Sequence, residues 1–402
     1  MDLLDTLKAR GFVEACTDED GVRALFAAPP ATAYIGFDPT AASLHVGSLV
    51  QLTMLAHVQR AGHRVVALVG SGTARVGDPS GKTEMRRLLG EEELAANGTA
   101  IAAQIRRFVA LDGPLGVLED NAAWLLPLNH IGFLRDIGRH FSVNRMLAAE
   151  SYRIRLEKGL SFLEFNYQVL QAYDFLELYR RYGCRLQMGG GDQWGNIVAG
   201  ADLVRRIEGA EVHGLTSSLV ETASGEKMGK TAAGAIWLDA ALTPPFDFFQ
   251  YWRNVADDDV RRFLLLFTFL PVPEIDALTA EGGAALNRAK ERLAREVTAI
   301  VHGAGAADRA LAGARAAFAG GAATGEVPTF EADLPRPVFV LLHEAGLAAS
   351  RSDARRSIQG GAVRVGEEKV TDLGAVLGPD RLGADGSVLL RNGKKVARVV
   401  GR

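Results

Sequence analysis

The 402 residues are too many for one ordinary hydrophobic core, so two or three domains are expected. No stretch is long enough without charge to span a bilayer, which excludes a helical membrane protein and leaves no membrane partner to expect. Two cysteines far apart, Cys16 and Cys184, exclude a disulfide framework and fit a reducing cytoplasm, and eight histidines with no HExxH or HxH pattern predict no metal site.

The opening residues Met1 to Lys8 carry early acids and no cleavable apolar run, so no signal peptide is expected. Leu3, Leu4, Leu7 and Phe12 predict a short amphipathic helix there. Ala33 to Phe37 reads as a short strand. Leu49, Leu52, Leu55 and Ala56 recur at helical spacing from Ser48 to Arg60, and Gly62 ends that helix. Arg64 to Gly70, rich in valine, reads as a fully buried parallel strand. Strand, helix and buried strand make a βαβ unit, the start of a doubly wound parallel sheet. Residues 85 to 180 read as mainly helical. Leu186 to Gly191 returns to a strand and a glycine turn, with a helix from about Gly195. Residues 247 to 319 read as all-helical, Gly320 to Gly325 as a flexible connection, and the chain from Pro337 as helix, turn, helix, strand and hairpins.

Charge is unevenly distributed. Residues 336 to 402 hold twelve Lys or Arg against seven Asp or Glu, a net of +5, while the rest of the chain carries −8. A basic end on an acidic body suits either a polyanion partner or an ordinary solvated face.

Two phosphate-binding patterns are incomplete. Gly77 to Thr83 ends like a P-loop but has Val76 where the first glycine belongs, and Gly70-Ser71-Gly72 has Arg75 where a dinucleotide fingerprint needs its third glycine. More informative is Gly36 to Ser48, which links a strand to a helix start, a natural anion site. His45 there is either a phosphate donor or a surface histidine. Gly47 leaves room for a nucleotide against the backbone. Gly225 to Thr231 holds two lysines three apart around a glycine, either a solvated turn or a mobile cationic loop able to close over a polyphosphate. Tyr167, Gln171 and Asp174 stand at i, i+4 and i+7, on one face of a helix, as a binding wall or a buried network.

Taken together, a helix start of the form HxGx and a KMxKT loop about 180 residues later resemble the signature of class I aminoacyl-tRNA synthetases. Tyr34 to Thr40, Val76 to Lys82, Phe165 to Phe175 and Gly191 to Asn196 resemble, in order, stretches of that class's bacterial tyrosyl family. Leu347 to Gly366 resembles the S4 RNA-binding module. Ser350 with Asp353 makes an N-cap there, and Arg351, Arg355 and Arg356 follow on the helix.

The resemblance implies an α/β class I catalytic domain with a helical insertion over 1–244, an all-helical anticodon-side domain over 245–325, a linker over 326–336 and a small α+β S4-like domain over 337–402. It implies activation of L-tyrosine by ATP, carried with Mg2+ and with no tightly bound cofactor, and transfer to the 3′ ribose of tRNA(Tyr) by a cytoplasmic homodimer. Tyr34 and Asp174 would bind the substrate phenol. Tyr167, Gln171 and Asp78 would hold its ammonium group, with Gln193 alongside. Gly36, Gly47 and Ser48 would border ATP, Asp38 and Asp192 would face the reaction centre and ribose, and Thr40 and His45 would contact the phosphates. Lys82, Arg86, Lys227, Lys230 and Thr231 would stabilise departing pyrophosphate, and Arg351, Arg355 and Arg356 would meet tRNA. The chain departs from the usual signatures at Ser48, where a second histidine is common, and at Gly229, where a serine is common. The rival expectations are a tryptophanyl-type class I synthetase and a non-catalytic RNA-binding paralogue.

Overall fold

In a computed structural model of the chain, the structure describes residues 2–80, 87, 89–157, 159–223, 225, 228–231, 234–318, 327–393 and 395–402. Two compact units emerge. One comprises Met1–Lys230, Ala235–Leu242 and Ala256–Leu286; the other comprises Thr231–Gly234, Thr243–Val255 and Asn287–Arg402.

The first unit is built on a six-stranded sheet. Its strands are β1 (Ala15–Cys16), β2 (Thr32–Phe37), β3 (Arg64–Val69), β4 (Gly116–Asp120), β5 (Leu186–Gly190) and β6 (His213–Ser217), in the spatial order β1-β6-β5-β2-β3-β4. All neighbours run parallel except β1, which is antiparallel to β6. The chain moves outward from β2 to β3 and β4, then returns to place β5 on the other side of β2. That reversal opens a crevice at the carboxyl ends of β2 and β5, where such sheets bind ligands. The register sharpens the point. β2 pairs with β3 along its whole length, but with β5 only at Ala33–Leu186 and Tyr34–Gln187. Beyond Tyr34 the two strands part, and their ends line a cavity.

Helices follow the apolar spacing. The helix Leu49–Arg60 is almost entirely buried on its apolar positions, and the pair Tyr167–Tyr182 and Trp194–Glu208 covers the sheet beside β5. Two strands fall outside the expected pattern. β4 lies in a region read as mainly helical; it is an edge strand, with only Val117 and Leu118 as large apolar residues. β6 is wholly buried although its sequence, His-Gly-Leu-Thr-Ser, is mostly polar.

The structure also divides the helical segment 245–325 differently from the sequence reading. Val260–Phe267 packs on Leu49–Arg60 in the first unit, burying Phe263, Leu264 and Phe267. Arg10 fixes the following turn, donating to the carbonyls of Leu265 and Thr268 at 2.9 Å each and of Leu270 at 2.5 Å. In the second unit Pro245–Arg253 packs on Ala304–Phe318, and Phe248 meets the ring of His302 edge-on at 4.8 Å.

The tail is a five-stranded sheet covered by helices Val338–Glu344 and Arg351–Gln359 around Val338, Leu341, Leu342, Ile358, Leu390 and Val399. Residues 326–336, read from the sequence as a linker, supply one of its strands: Thr329–Ala332 pairs in parallel with Lys395–Gly401. Exposed Thr329 and Glu331 alternate with half-buried Phe330 and buried Ala332, a short edge pattern that a small-residue neighbourhood conceals.

Candidate active site

The cavity at the β2–β5 crevice has a volume of about 340 Å³. Its lining contains Tyr34, Gly36, Asp38, Thr40, His45, Ser48, Asp78, Tyr167, Gln171, Asp174, Asp192 and Gln193, twelve positions singled out from the sequence. A Cβ built on Gly36 meets nothing within 4 Å, so this strand position faces open space.

At the floor lies Asp174, 2% exposed, on the helix Tyr167–Tyr182. Its carboxylate accepts hydrogen bonds from Trp124 Nε1 at 2.8 Å and Asn121 Nδ2 at 3.0 Å. Burial pushes its pKa up to about 8, and these two donors pull against that shift. Asn121 is itself locked, since its Oδ1 accepts from the Gly72 N–H at 2.8 Å and its Nδ2 also donates to Thr73 Oγ1 at 2.9 Å. The Tyr34 hydroxyl is buried and has no hydrogen-bond partner among the described residues. Burial first, and the nearby Asp174 charge second, push its pKa well above the ordinary phenol value. An orphan buried hydroxyl carries a desolvation cost of about 1–3 kcal/mol unless something completes it.

Higher in the cavity the polar groups pair with one another. Tyr167 donates to Asp38 Oδ2 at 2.8 Å, and Thr73 donates to Asp38 Oδ1 at 2.8 Å. Burial and then the charges of Asp38, Asp78 and Asp174 push the Tyr167 phenol up, so it stays a neutral donor. Gln193 Nε2 donates to Asp78 Oδ2 at 2.7 Å, and the other Asp78 oxygen accepts the Ser80 N–H at 2.9 Å. Asn196 Nδ2 donates to Gln171 Oε1 at 2.9 Å. Tyr167, Gln171 and Asp174 are therefore both a cavity wall and members of a buried network. The side chains of Asp38, Asp78 and Asp174 all line this cavity.

At the mouth, His45 caps the helix start. Its Nδ1 accepts the Gly47 N–H at 3.0 Å, so in the neutral ring Nε2 holds the proton and is the donor. The turn is pinned by Val46 N–H to Ile236 O at 3.0 Å and Leu238 N–H to Leu44 O at 2.9 Å. The two signature glycines meet here. A Cβ on Gly47 would lie 2.7 Å from the His45 ring and 3.3 Å from the Met228 carbonyl. Gly229 has φ +82°, and a Cβ there would stand 2.7 Å from Val46 Cγ2. Glycine at this departure from the usual signature is thus what lets the loop lie on the Val46–Gly47 turn. Ser48 lines the cavity and donates its backbone N–H to His45 O at 2.8 Å, with no side-chain cap to its helix.

Lys82, Arg86 and Lys227, and the side chains of Lys230 and Thr231, lie outside the described residues. Arg351, Arg355 and Arg356 belong to the second unit. The guanidinium of Arg355 lies 4.2 Å over the Phe339 ring, Arg351 is 3.9 Å from Glu344, and Arg356 pairs with Asp353 at 3.2 Å. Sequence reading missed Asn121, Trp124, Thr73 and Trp237. Asn121 and Trp124 follow the unrecognised strand β4, and no local pattern marks them. Asn196 stood inside a quoted motif without a role.

A family model described as class I tRNA synthetases (W and Y) matches residues 27–319, and a model of the C-terminal domain of tyrosine–tRNA ligases matches 321–400. A tyrosine–tRNA ligase of Treponema pallidum is 53% identical over 403 residues, covering 99% of this chain and 98% of its own. The chain belongs to the tyrosine–tRNA ligase family of class I synthetases. The synthetase is also 50% identical to a tyrosine–tRNA ligase of Rhizobium meliloti, covering 98% of this chain and 97% of that one. Among solved structures, a C-terminally truncated mitochondrial tyrosyl-tRNA synthetase of Aspergillus nidulans is similar with a TM-score of 0.69 and 29% identity, over 77% of this chain and 92% of that one. A tryptophanyl-tRNA synthetase of Encephalitozoon cuniculi, at 15% identity and a TM-score of 0.56, shares the fold.

Proposed function

We propose that this synthetase activates L-tyrosine in the β2–β5 cavity and esterifies it to tRNA(Tyr). The observation that carries this is the cavity floor: a buried carboxylate beside an orphan phenol hydroxyl. A tyrosine phenol between them donates to Asp174 and accepts from Tyr34, completing both groups. A tryptophan indole has a donor for Asp174 but no acceptor for Tyr34.

Tyr167, Gln171 and Asp78 then hold the ammonium group, with Gln193 beside it. The tyrosine carboxylate reaches past Asp38 toward ATP, which lies over Gly36 and Gly47 with its ribose toward Asp192 and Ser48. One carboxylate oxygen attacks the α-phosphorus of Mg·ATP. The new O–P bond forms as the bond to the bridging oxygen of pyrophosphate breaks. Thr40 and His45 Nε2 meet the phosphates from the helix start, while Lys82, Arg86, Lys227, Lys230 and Thr231 neutralise the charge that moves onto pyrophosphate. The terminal ribose hydroxyl of tRNA next attacks the activated carbonyl, and AMP leaves. No protein side chain forms a covalent bond; positioning and charge stabilisation supply the rate.

Arg351, Arg355 and Arg356 contact tRNA phosphates on the basic tail. A second copy of the chain covers an exposed apolar surface between residues 126 and 163, where Ile131 is 70% and Phe162 77% exposed, joined by Leu126, Leu134, Val143 and Leu156. No helix among the described residues is long and apolar enough to cross a membrane, and we place the enzyme in the cytoplasm with its tRNA. The test is ATP–pyrophosphate exchange with each proteinogenic amino acid in turn. Exchange dependent on tyrosine supports the reading. Exchange dependent on tryptophan, or none with any amino acid, overturns it.

A further inference from the structure

The signature loop is held at its root by a buried carboxylate that none of the site's roles uses. Asp259 is 2% exposed, on the 3-10 turn that precedes the helix Val260–Phe267. Its Oδ2 accepts the backbone N–H of Ala223 at 2.9 Å, and its Oδ1 accepts from Arg262 at 2.6 Å. Arg262 also donates to the carbonyl of Glu221. Two side chains one helical turn apart thus grip both the N–H of Ala223 and the C=O of Glu221. The loop then closes on itself, with Met228 N–H donating to Val220 O at 2.9 Å, and Gly229 reaches the Val46–Gly47 turn. The root is therefore clamped to the helix that packs on Leu49–Arg60, and that helix begins at the phosphate-binding turn. Two helices packed on each other thus carry the loop's origin and its landing point.

We propose that Asp259, with Arg262, is a positioning pair for adenylate formation: it fixes the root of the 220–231 loop so that the loop lysines reach the departing pyrophosphate. The inference rests on the reading that these lysines act on pyrophosphate. The pair lies at the loop root, away from the tyrosine cavity lining. Its loss leaves the tyrosine pocket intact and enlarges the set of loop positions, which lowers the rate of chemistry and spares tyrosine affinity.

The experiment uses the full-length enzyme and measures single-turnover tyrosyl-adenylate formation, tyrosine Kd by equilibrium dialysis, and thermal midpoint. Variants are Asp259→Ala, Asp259→Asn, Arg262→Ala and Lys230→Ala. Asp259→Ala is expected to slow adenylate formation about tenfold, equivalent to about 1.4 kcal/mol, with tyrosine Kd unchanged. Asp259→Asn keeps an oxygen for the Ala223 N–H and recovers most of the rate. Arg262→Ala loses a smaller factor in the same direction. Because the Arg262 side chain is about half exposed, that variant carries the test if Asp259→Ala does not fold. An unchanged rate in the folded variants overturns the proposal. So does a rate that falls in step with tyrosine affinity, the mark of a merely structural carboxylate. Lys230→Ala separates the two readings: if it too leaves the rate unchanged, the catalytic loop itself is misassigned, whereas a slow Lys230→Ala beside a normal Asp259→Ala rejects only the anchor.

Discussion

Replacing Asp174 by alanine should narrow the preference for tyrosine over phenylalanine. The two amino acids differ by one oxygen, so shape alone rejects phenylalanine weakly. In the native site, bound phenylalanine leaves the Tyr34 hydroxyl without a partner and takes from Asp174 the donor a phenol would bring. At an assay pH above 8, where Asp174 is ionised, a hydrogen bond to it is worth about 1.5–3 kcal/mol, against about 0.5–1.5 kcal/mol for a neutral one. Removing the carboxylate forfeits the larger of the two for tyrosine and nothing equivalent for phenylalanine. The ratio of kcat/KM should therefore shrink by a factor of about 10–150. The substitution also takes the acceptor from Trp124 Nε1 and one of the two acceptors from Asn121 Nδ2, so the variant should melt lower. That loss is common to both substrates and cancels in the ratio. Pyrophosphate exchange with each amino acid on both proteins gives the answer. An unchanged ratio, with both substrates slowed alike, would mean Asp174 is a structural carboxylate and the phenol is read elsewhere.

Lys230→Ala should slow pyrophosphate exchange by about a hundredfold, the scale of one preorganised charge donor, and leave tyrosine affinity by dialysis unchanged. Asp174 gives a stability signature as well. Its folded pKa of about 8 stands above the ordinary 3.8, so the folded chain binds a proton that the unfolded chain has lost between those values. This contribution to stability is fully present below about pH 4 and is lost as pH rises through 8. The drop in thermal midpoint from pH 5 to pH 8 should be smaller in Asp174→Asn, and an equal drop in both proteins contradicts the assignment. A chain ending near Gly325 should keep pyrophosphate exchange but charge tRNA poorly, with a shallower salt dependence of tRNA binding; equal charging and equal slopes would refute the tail's role. Ile131→Glu should shift the enzyme toward monomer in sedimentation equilibrium, and an unchanged mass would place the second copy elsewhere.

Much of this was legible because local chemistry demanded particular residues. The buried valines of β3, the helix start at His45 and Gly47, and the i, i+4, i+7 stripe of Tyr167, Gln171 and Asp174 each follow from backbone periodicity, and the cavity brings the His45 turn and the stripe together. Less legible was whatever depends on a partner distant in sequence. β4 and β6 lack the apolar run of β3, since one is an edge strand and the other buries His213, Thr216 and Ser217 among its five residues. Asn121 and Trp124 matter only because β4 delivers them to Asp174. The helix Val260–Phe267 reads as any amphipathic helix, and nothing in its spacing says that it packs on Leu49–Arg60 rather than on its chain neighbours. Gly229 was visible as a departure, but its positive φ and its contact with Val46 were not.

The most direct test of the account is isolation of the intermediate. The enzyme is mixed with labelled tyrosine and Mg·ATP, small molecules are removed by rapid gel filtration, and tRNA is added to the protein fraction. The account predicts that label stays with the protein as acid-labile tyrosyl-adenylate and passes to tRNA(Tyr) on addition. Label that never stays with the protein, or that stays but does not reach tRNA(Tyr), would contradict it.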